Sequence, residues 1–132
     1  MVSEGRAQVS LTRALALHAR HRYEAGGPAA DHGHLYRIEV TVQGSLDGAR
    51  SMIIDLDALD ALLTNELAEP IGGRHLNEAI EEFSSGAQQP SCEAFAAWCW
   101  RRLASRLPSG VQLERVRVAE DATLWADCTG IG

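Results

Sequence analysis

Residues 30–42 carry the sequence ADHGHLYRIEVTV, and this stretch decides the fold of the 132-residue chain. From Leu35 onward, apolar and polar residues alternate with a period of two, which is typical of a strand with one buried face. His32 and His34 share the parity of the apolar residues. The stretch therefore predicts a half-buried strand whose two imidazoles project from the inward face and can chelate one divalent metal, unless the pair is incidental.

A second alternating segment, residues 9–23, comes just before it and places His21 on its apolar face and His18 on the other. If the two strands pair antiparallel through a turn at residues 24–28, His21, His32 and His34 converge. Three imidazoles without a fourth protein ligand are the composition of a catalytic rather than a structural zinc site. The alternative is that each histidine ends a strand, partly exposed and without a ligand.

Two helices are predicted in the middle of the chain. Residues 43–50 are rich in Gly and Asp and predict a loop. Asp55 or Asp57 can cap a helix with leucines at helical spacing, which Pro70 and the following glycines end. Ser91 is the predicted N-cap of a second helix, whose apolar stripe and basic C-terminal half follow at Phe95, Trp98, Cys99, Leu103, Arg101, Arg102 and Arg106.

The C-terminal part predicts two more strands, residues 116–120 and 123–127. The first carries Glu120 on the same face as its inward valines. A buried carboxylate needs a partner or a ligand, because burying it alone costs several kcal/mol or forces its protonation. The alternative is a strand-end carboxylate that reaches solvent.

This order of elements, ββααββ, predicts an α+β fold: a four-stranded antiparallel sheet with two helices packed on one face. At this length we expect a single domain over residues 1–132. The chain has 12 Lys and Arg against 18 Asp and Glu, a net charge of −6, and no cluster of basic and aromatic residues. This composition argues against a nucleic-acid or anionic-membrane surface.

We expect a cytoplasmic protein. The sequence has neither a signal-like apolar region at its start nor an apolar run long enough to span a bilayer. The three cysteines follow no metal-knuckle spacing, which is consistent with free thiols in a reducing compartment.

The motifs together resemble the 6-pyruvoyl-tetrahydropterin synthase and 6-carboxytetrahydropterin synthase family over nearly the whole chain. Six segments are similar to family motifs and occur in the same order: residues 17–23 (F-x-A-x-H-R-L), 32–34 (HGH), 51–56 (G-M-V-x-D-F), 74–77 (the second part of D-H-R-H-L-N), 90–93 (P-T-x-E) and 116–120 (the strand ending in E-T).

This resemblance implies the tunnelling fold, with Zn²⁺ held by His21, His32 and His34. It also implies that Glu120 anchors a pterin or other cyclic amidine by its N–H edge. A homo-oligomer is implied as well, a hexamer built as a dimer of trimers or a trimer, with active sites between subunits.

Two departures from the family pattern bear on activity. Residues 26–30, which precede HGH, contain neither the family's cysteine nor a glutamate in its place, and the family's Asp-His pair falls on Gly72 and Gly73. We therefore expect a zinc-dependent lyase or cyclase, of carbon-oxygen or carbon-carbon lyase type, repurposed for a different oxygenated carbonyl substrate in a biosynthetic pathway. The alternatives are the family's own reaction with replacement acid and base groups, and a non-catalytic homologue that binds zinc and a ligand.

Four residues are candidates for acid–base catalysis: Asp31, His75, Glu93 and Cys92. Cys92 lies in the first helical turn, where the dipole can lower a thiol pKa. Each also has a structural interpretation, as a solvent-facing carboxylate, a packed loop histidine, a first-turn helix residue and a small apolar residue, respectively.

Overall fold

Two long strands form the centre of the fold. The structure, a computed structural model, describes residues 6–23 and 31–132. Strands β1 (Gln8–His21) and β2 (His32–Ser45) pair antiparallel along their full length. The turn predicted at residues 24–28 lies outside the described residues.

The loop predicted at residues 43–50 begins later than its composition indicates. Gly44 and Ser45 still belong to β2, because they pair with Val9 and Gln8 at the start of β1. The Gln8 side-chain amide also donates to Ser45 Oγ at 2.6 Å. The length of the partner strand therefore overrides the local preference of a Gly-containing segment for a turn.

The C-terminal part forms the predicted pair of strands. Strand β4 (Val111–Asp121) pairs antiparallel with β2, and β5 (Leu124–Cys128) pairs antiparallel with β4. A fifth strand, β3 (Arg74–His75), adds to the predicted four. It has two residues and pairs parallel with β1, so that the sheet order is β3-β1-β2-β4-β5.

The first predicted helix begins as expected but continues past Pro70. Asp55 caps α1 (Leu56–Leu63) by accepting from the Ala58 N–H, and a π-helical segment (Thr64–Ala68) joins α1 to α2 (Glu69–Ile71). Proline lacks the N–H that would bond the carbonyl four residues earlier. That carbonyl, of Glu66, accepts instead from Arg102 Nε at 3.2 Å, so the helix tolerates the proline and ends at Gly72.

The remaining helices cover the same face of the sheet. Two short helices, α3 (Leu76–Ala79) and α4 (Glu81–Ser84), follow β3. The main helix, α5 (Cys92–Leu103), begins at the predicted cap, because Ser91 Oγ accepts from the Ala94 N–H at 3.1 Å.

The hydrophobic core lies between the inward face of the sheet and the helices, which confirms the α+β prediction. Its largest fully buried apolar side chains come from both layers: Tyr36, Ile38, Val40, Val42, Leu59, Leu67, Ile71, Leu76, Ile80, Phe95 and Leu103. Within the described residues, no helix is both long enough and apolar enough to cross a bilayer.

Candidate metal centre

Three histidines converge where β1 ends and β2 begins. The register pairs His21 with His32 and Ala19 with His34, so the three imidazoles share the inward face of neighbouring strands. Their ligand nitrogens all lie within 4.8 Å of one another. His21 is 1% exposed, whereas His32 is open to solvent. The geometry therefore matches the convergence predicted from strand parity and leaves an open side to the cluster.

A backbone carbonyl orients the central imidazole. His21 Nδ1 lies 2.9 Å from the carbonyl oxygen of Pro90, which can only accept, so Nδ1 carries the proton and Nε2 presents a lone pair. His21 Nε2 lies 3.0 Å from Nε2 of both His32 and His34. Burial lowers the pKa of His21, which favours the neutral form that a metal ligand must have.

These residues fit a zinc ion. The single lone pair on His21 Nε2 accepts one well-formed hydrogen bond, so it cannot satisfy two imidazole N–H donors that both lie at 3.0 Å. A cation among the three nitrogens would instead use a lone pair from each. Three neutral imidazoles are a donor set that zinc accepts in catalytic sites.

Glu120 faces the same cluster. Its Oε1 atom lies 3.6 Å from Nε2 of both His21 and His34, and its side chain is 13% exposed. The β4–β5 pairing is irregular between Ala119 and Asp121, and such bulges redirect a side chain. The Glu120 carboxylate therefore lies on the inward face of the sheet, as its position in the strand predicts.

Cys92 is buried, and its thiol does not have the lowered pKa that a helix N-terminus predicts. Its Sγ–H donates to the Val118 carbonyl at 3.0 Å. Burial, with the charge of Glu120 adding to it, raises the pKa of Cys92 to about 11. Glu93, the next residue, is exposed in the first turn of α5. Burial raises the pKa of Tyr23, and the charges of Glu120 and then Glu93 add to this effect.

Asp31 and His75 meet on the reverse face of the sheet. His75 Nε2 lies 2.7 Å from Asp31 Oδ1, and Arg20 Nη2 lies 3.3 Å from Asp31 Oδ2. Arg20 pairs with His75 across β1 and β3 and has the opposite parity to the buried His21. The hydrogen bond from His75 and then that from Arg20 hold the pKa of Asp31 below its usual value. These two catalytic candidates therefore lie together, but not on the face that carries the imidazoles.

The backbone at Gly72 and Gly73 requires glycine. A Cβ on Gly72 would lie 2.6 Å from the carbonyl oxygen of Ala68, and Gly73 has a φ of +72°. L-residues with a side chain rarely adopt that φ. The segment at which the family motif has Asp-His is therefore shaped around two residues that carry no side chain.

Sequence reasoning missed two contributors to this region. The carbonyl of Pro90 orients His21, and the motif that contains this proline gives no sign of that contact. Arg20 lies on the outward face of β1, and nothing in its local pattern indicates the contact with Asp31. Tyr36, buried on the inward face of β2, also supports the cluster, because its ring lies 5.5 Å from that of His34 and 5.0 Å from that of Phe95 between centroids.

Comparison with known proteins gives consistent results. The family model "6-pyruvoyl tetrahydropterin synthase" matches residues 10–130. The human and Poecilia reticulata 6-pyruvoyl tetrahydrobiopterin synthases are 32% and 28% identical to this chain over 89 residues, 67% of its length. The matched region spans 59% and 58% of those two relatives.

Solved structures confirm the tunnelling fold. The 6-pyruvoyl tetrahydropterin synthase of Caenorhabditis elegans superimposes with a TM-score of 0.85 at 23% identity, covering 98% of this chain and 100% of that one. The enzyme of Plasmodium vivax gives a TM-score of 0.70 at 13% identity, covering 92% and 97%.

Proposed function

Because this chain belongs to the 6-pyruvoyl tetrahydropterin synthase family, we propose that it is a zinc-dependent lyase or cyclase acting on a small oxygenated molecule. The observation that carries the proposal is the convergence of three imidazole nitrogens, within 4.8 Å of one another, on the inward face of the sheet where β1 ends and β2 begins. His21, His32 and His34 would hold the ion. Zinc in such a site supplies a Lewis acid that polarises a carbonyl or hydroxyl oxygen.

Glu120 would bind the substrate through a pair of N–H groups. Its carboxylate is largely screened from water and lies beside two of the three histidines. A carboxylate is an acceptor for a cyclic amidine edge, and such charge-assisted hydrogen bonds are stronger in a site of low dielectric constant. A ligand held there would have its oxygenated part near the imidazole cluster. Pterins are one class of molecule with this combination of groups.

We further propose that the substrate or reaction differs from that of the family. The family's cysteine is missing from residues 26–30, whose structure is outside the described residues. The backbone at Gly72 and Gly73 would have to change before an Asp-His pair could occupy those positions. The proton-transfer groups must then come from elsewhere in the chain or from a neighbouring subunit.

Among the four predicted acid–base residues, we favour Glu93 for proton transfer. It is exposed at the start of α5, near Tyr23, whose ring lies 5.6 Å from that of His21. Cys92 is engaged with Val118 and has a raised pKa, and the other two candidates lie on the reverse face. The catalytic roles of Asp31, His75, Glu93 and Cys92 stay predictions.

A homo-oligomer is part of the proposal, as a trimer or a dimer of trimers. Several large apolar side chains of the described sheet are exposed, a feature typical of surfaces that a partner covers: Leu11, Leu35, Leu124 and Trp125. The three free cysteines support a reducing, cytoplasmic location. Light scattering during gel filtration measures the assembly directly.

The test of the proposed function is incubation of the zinc-loaded protein with dihydroneopterin triphosphate, followed by mass spectrometry of the products. We expect no tetrahydropterin product, and turnover of another small carbonyl or polyol substrate that His32→Ala abolishes. Conversion of dihydroneopterin triphosphate would instead support ordinary tetrahydropterin synthesis. The matched relatives are named 6-pyruvoyl tetrahydrobiopterin synthase, which favours this alternative. Tight pterin binding without turnover of any substrate would favour a non-catalytic homologue.

A further inference from the structure

We propose that Arg20, Asp31 and His75 form a strand clamp on the reverse face of the sheet, which fixes the positions of two of the three metal ligands. The inference rests on the proposed zinc site and assigns to Asp31 and His75 a positioning role in place of proton transfer. The contacts that carry it are the two hydrogen bonds to the Asp31 carboxylate, from His75 at 2.7 Å and from Arg20 at 3.3 Å.

The clamp joins three strands at the level of the imidazole cluster. Strand β1 lies between β3 and β2, and Asp31, the residue immediately before β2, reaches over β1 to His75 in β3. Arg20 belongs to β1 and donates to the other oxygen of the same carboxylate. One carboxylate therefore connects the ends of β1, β2 and β3, whereas the backbone hydrogen bonds of the sheet connect these strands only two at a time.

Two clamp residues immediately precede proposed metal ligands in the chain. Arg20 comes before His21, and Asp31 comes before His32. Because successive side chains of a strand point to opposite faces, a residue held on the reverse face fixes the direction of its neighbour on the inward face. His32 is the solvent-exposed member of the cluster and the first residue of β2. Its backbone is therefore the least restrained of the three by the rest of the sheet, and the clamp restrains it most.

His75 is held in a single tautomer with both ring nitrogens occupied. The backbone N–H of Asn77 donates to Nδ1 at 3.2 Å, which leaves the proton on Nε2 for donation to Asp31. In this arrangement His75 has no free lone pair with which to accept a proton from a substrate. Its two hydrogen bonds cap α3 on one side and hold the Asp31 carboxylate on the other.

Two substitutions at residue 75 separate the cap from the clamp. His75→Asn places an acceptor near the position of Nδ1 but is too short to reach Asp31, so it keeps the cap and loses the clamp. His75→Gln places an amide N–H near the position of Nε2 and restores the donor to Asp31. Loss of groups that orient metal ligands typically costs about 10–100-fold in metal affinity.

The experiment measures zinc release from the full-length protein into a chelating dye. It is preceded by zinc stoichiometry for each variant and by circular dichroism to confirm the fold. We expect release about tenfold faster or more for His75→Asn and Asp31→Ala, and a rate near that of the wild type for His75→Gln. Because both changes break the same contact, the double variant should be no faster than the faster single variant.

Asp127→Ala is the matched control, because it removes a carboxylate that binds an arginine, Arg117, at 2.7 Å in the β4–β5 pair. Its release rate should equal that of the wild type. The clamp would be overturned, with the zinc site unaffected, by any of three results. These are an unchanged rate of zinc release from His75→Asn, an equally faster release from the control, or a double variant whose increase in rate is the product of the two single increases. A wild-type protein that binds no zinc would overturn the clamp and the proposed function together. The absorption spectrum of the cobalt-loaded His75→Asn variant should also shift, and His75→Gln should restore it.

Discussion

His21 Nδ1 lies 2.9 Å from the carbonyl oxygen of Pro90, a residue 69 positions further along the chain. Pro90 is buried and directly precedes Ser91, the residue that caps α5. The start of the main helix therefore sets the tautomer and orientation of the most buried imidazole of the candidate metal centre. This one hydrogen bond couples the packing of the helix to the geometry of the candidate metal centre.

A first prediction follows from that coupling. Ser91→Ala removes the hydrogen bond to the Ala94 N–H and should lower the free energy of unfolding by about 1 kcal/mol. It should also weaken zinc binding, since Pro90 lies next to the lost cap. Asp55→Ala removes the equivalent cap of α1, whose acceptor binds the Ala58 N–H at 3.0 Å, and should cost a similar free energy without changing zinc affinity. Urea unfolding and chelator competition measure the two quantities, and equal loss of zinc affinity in both variants would contradict the coupling.

The second prediction concerns which histidines hold metal. His21→Ala and His34→Ala should lose bound zinc, whereas His18→Ala, whose side chain points to the other face of β1, should retain about one zinc per chain. Elemental analysis after dialysis measures the content. Equal loss from all three variants would contradict the assignment from strand parity.

The third prediction tests Glu120 as the ligand anchor. Glu120→Gln removes the charge that strengthens a hydrogen bond, so neopterin should bind about tenfold more weakly or worse, while zinc content stays the same. Glu114→Gln is the control, because Glu114 belongs to the same strand but bonds Ser10 at 2.7 Å in an exposed position. Calorimetric titration gives both affinities. An unchanged affinity in Glu120→Gln would retire the anchoring role.

The fourth prediction concerns thiol reactivity. A pKa raised to about 11 leaves Cys92 almost entirely protonated at pH 8, and its thiolate fraction rises only as the pH approaches that value. Iodoacetamide at pH 8 should therefore label the partly exposed Cys128 first and Cys92 only after unfolding in urea. Peptide mass spectrometry distinguishes the two. If Cys92 were labelled as fast as Cys128, the raised pKa would be contradicted and Cys92 would again be a candidate nucleophile.

The parts of the site that follow from local periodicity could be predicted from the sequence. The parity of His21, His32 and His34 along two strands is a property of a few consecutive residues, and the antiparallel register then brings them together. The caps at Asp55 and Ser91 are equally local, because each side chain bonds an N–H three residues later.

The parts that depend on distant contacts could not be predicted in this way. Strand β3 has only two residues, too few for any alternation to indicate which face carries His75. The pKa of the Cys92 thiol is set by its burial and by the charge of Glu120 rather than by its position at the start of the helix. The helix continues past Pro70 because the carbonyl freed by the proline accepts from Arg102, which is 36 residues from Glu66.

X-ray absorption at the zinc edge tests the central claim, a zinc ion held by three imidazoles, most directly. We predict a first shell of nitrogen and oxygen only, at about 2.0–2.1 Å, with outer-shell scattering from three imidazole rings. A zinc–sulfur distance of about 2.3 Å, or the absence of zinc after incubation with it, would contradict the account.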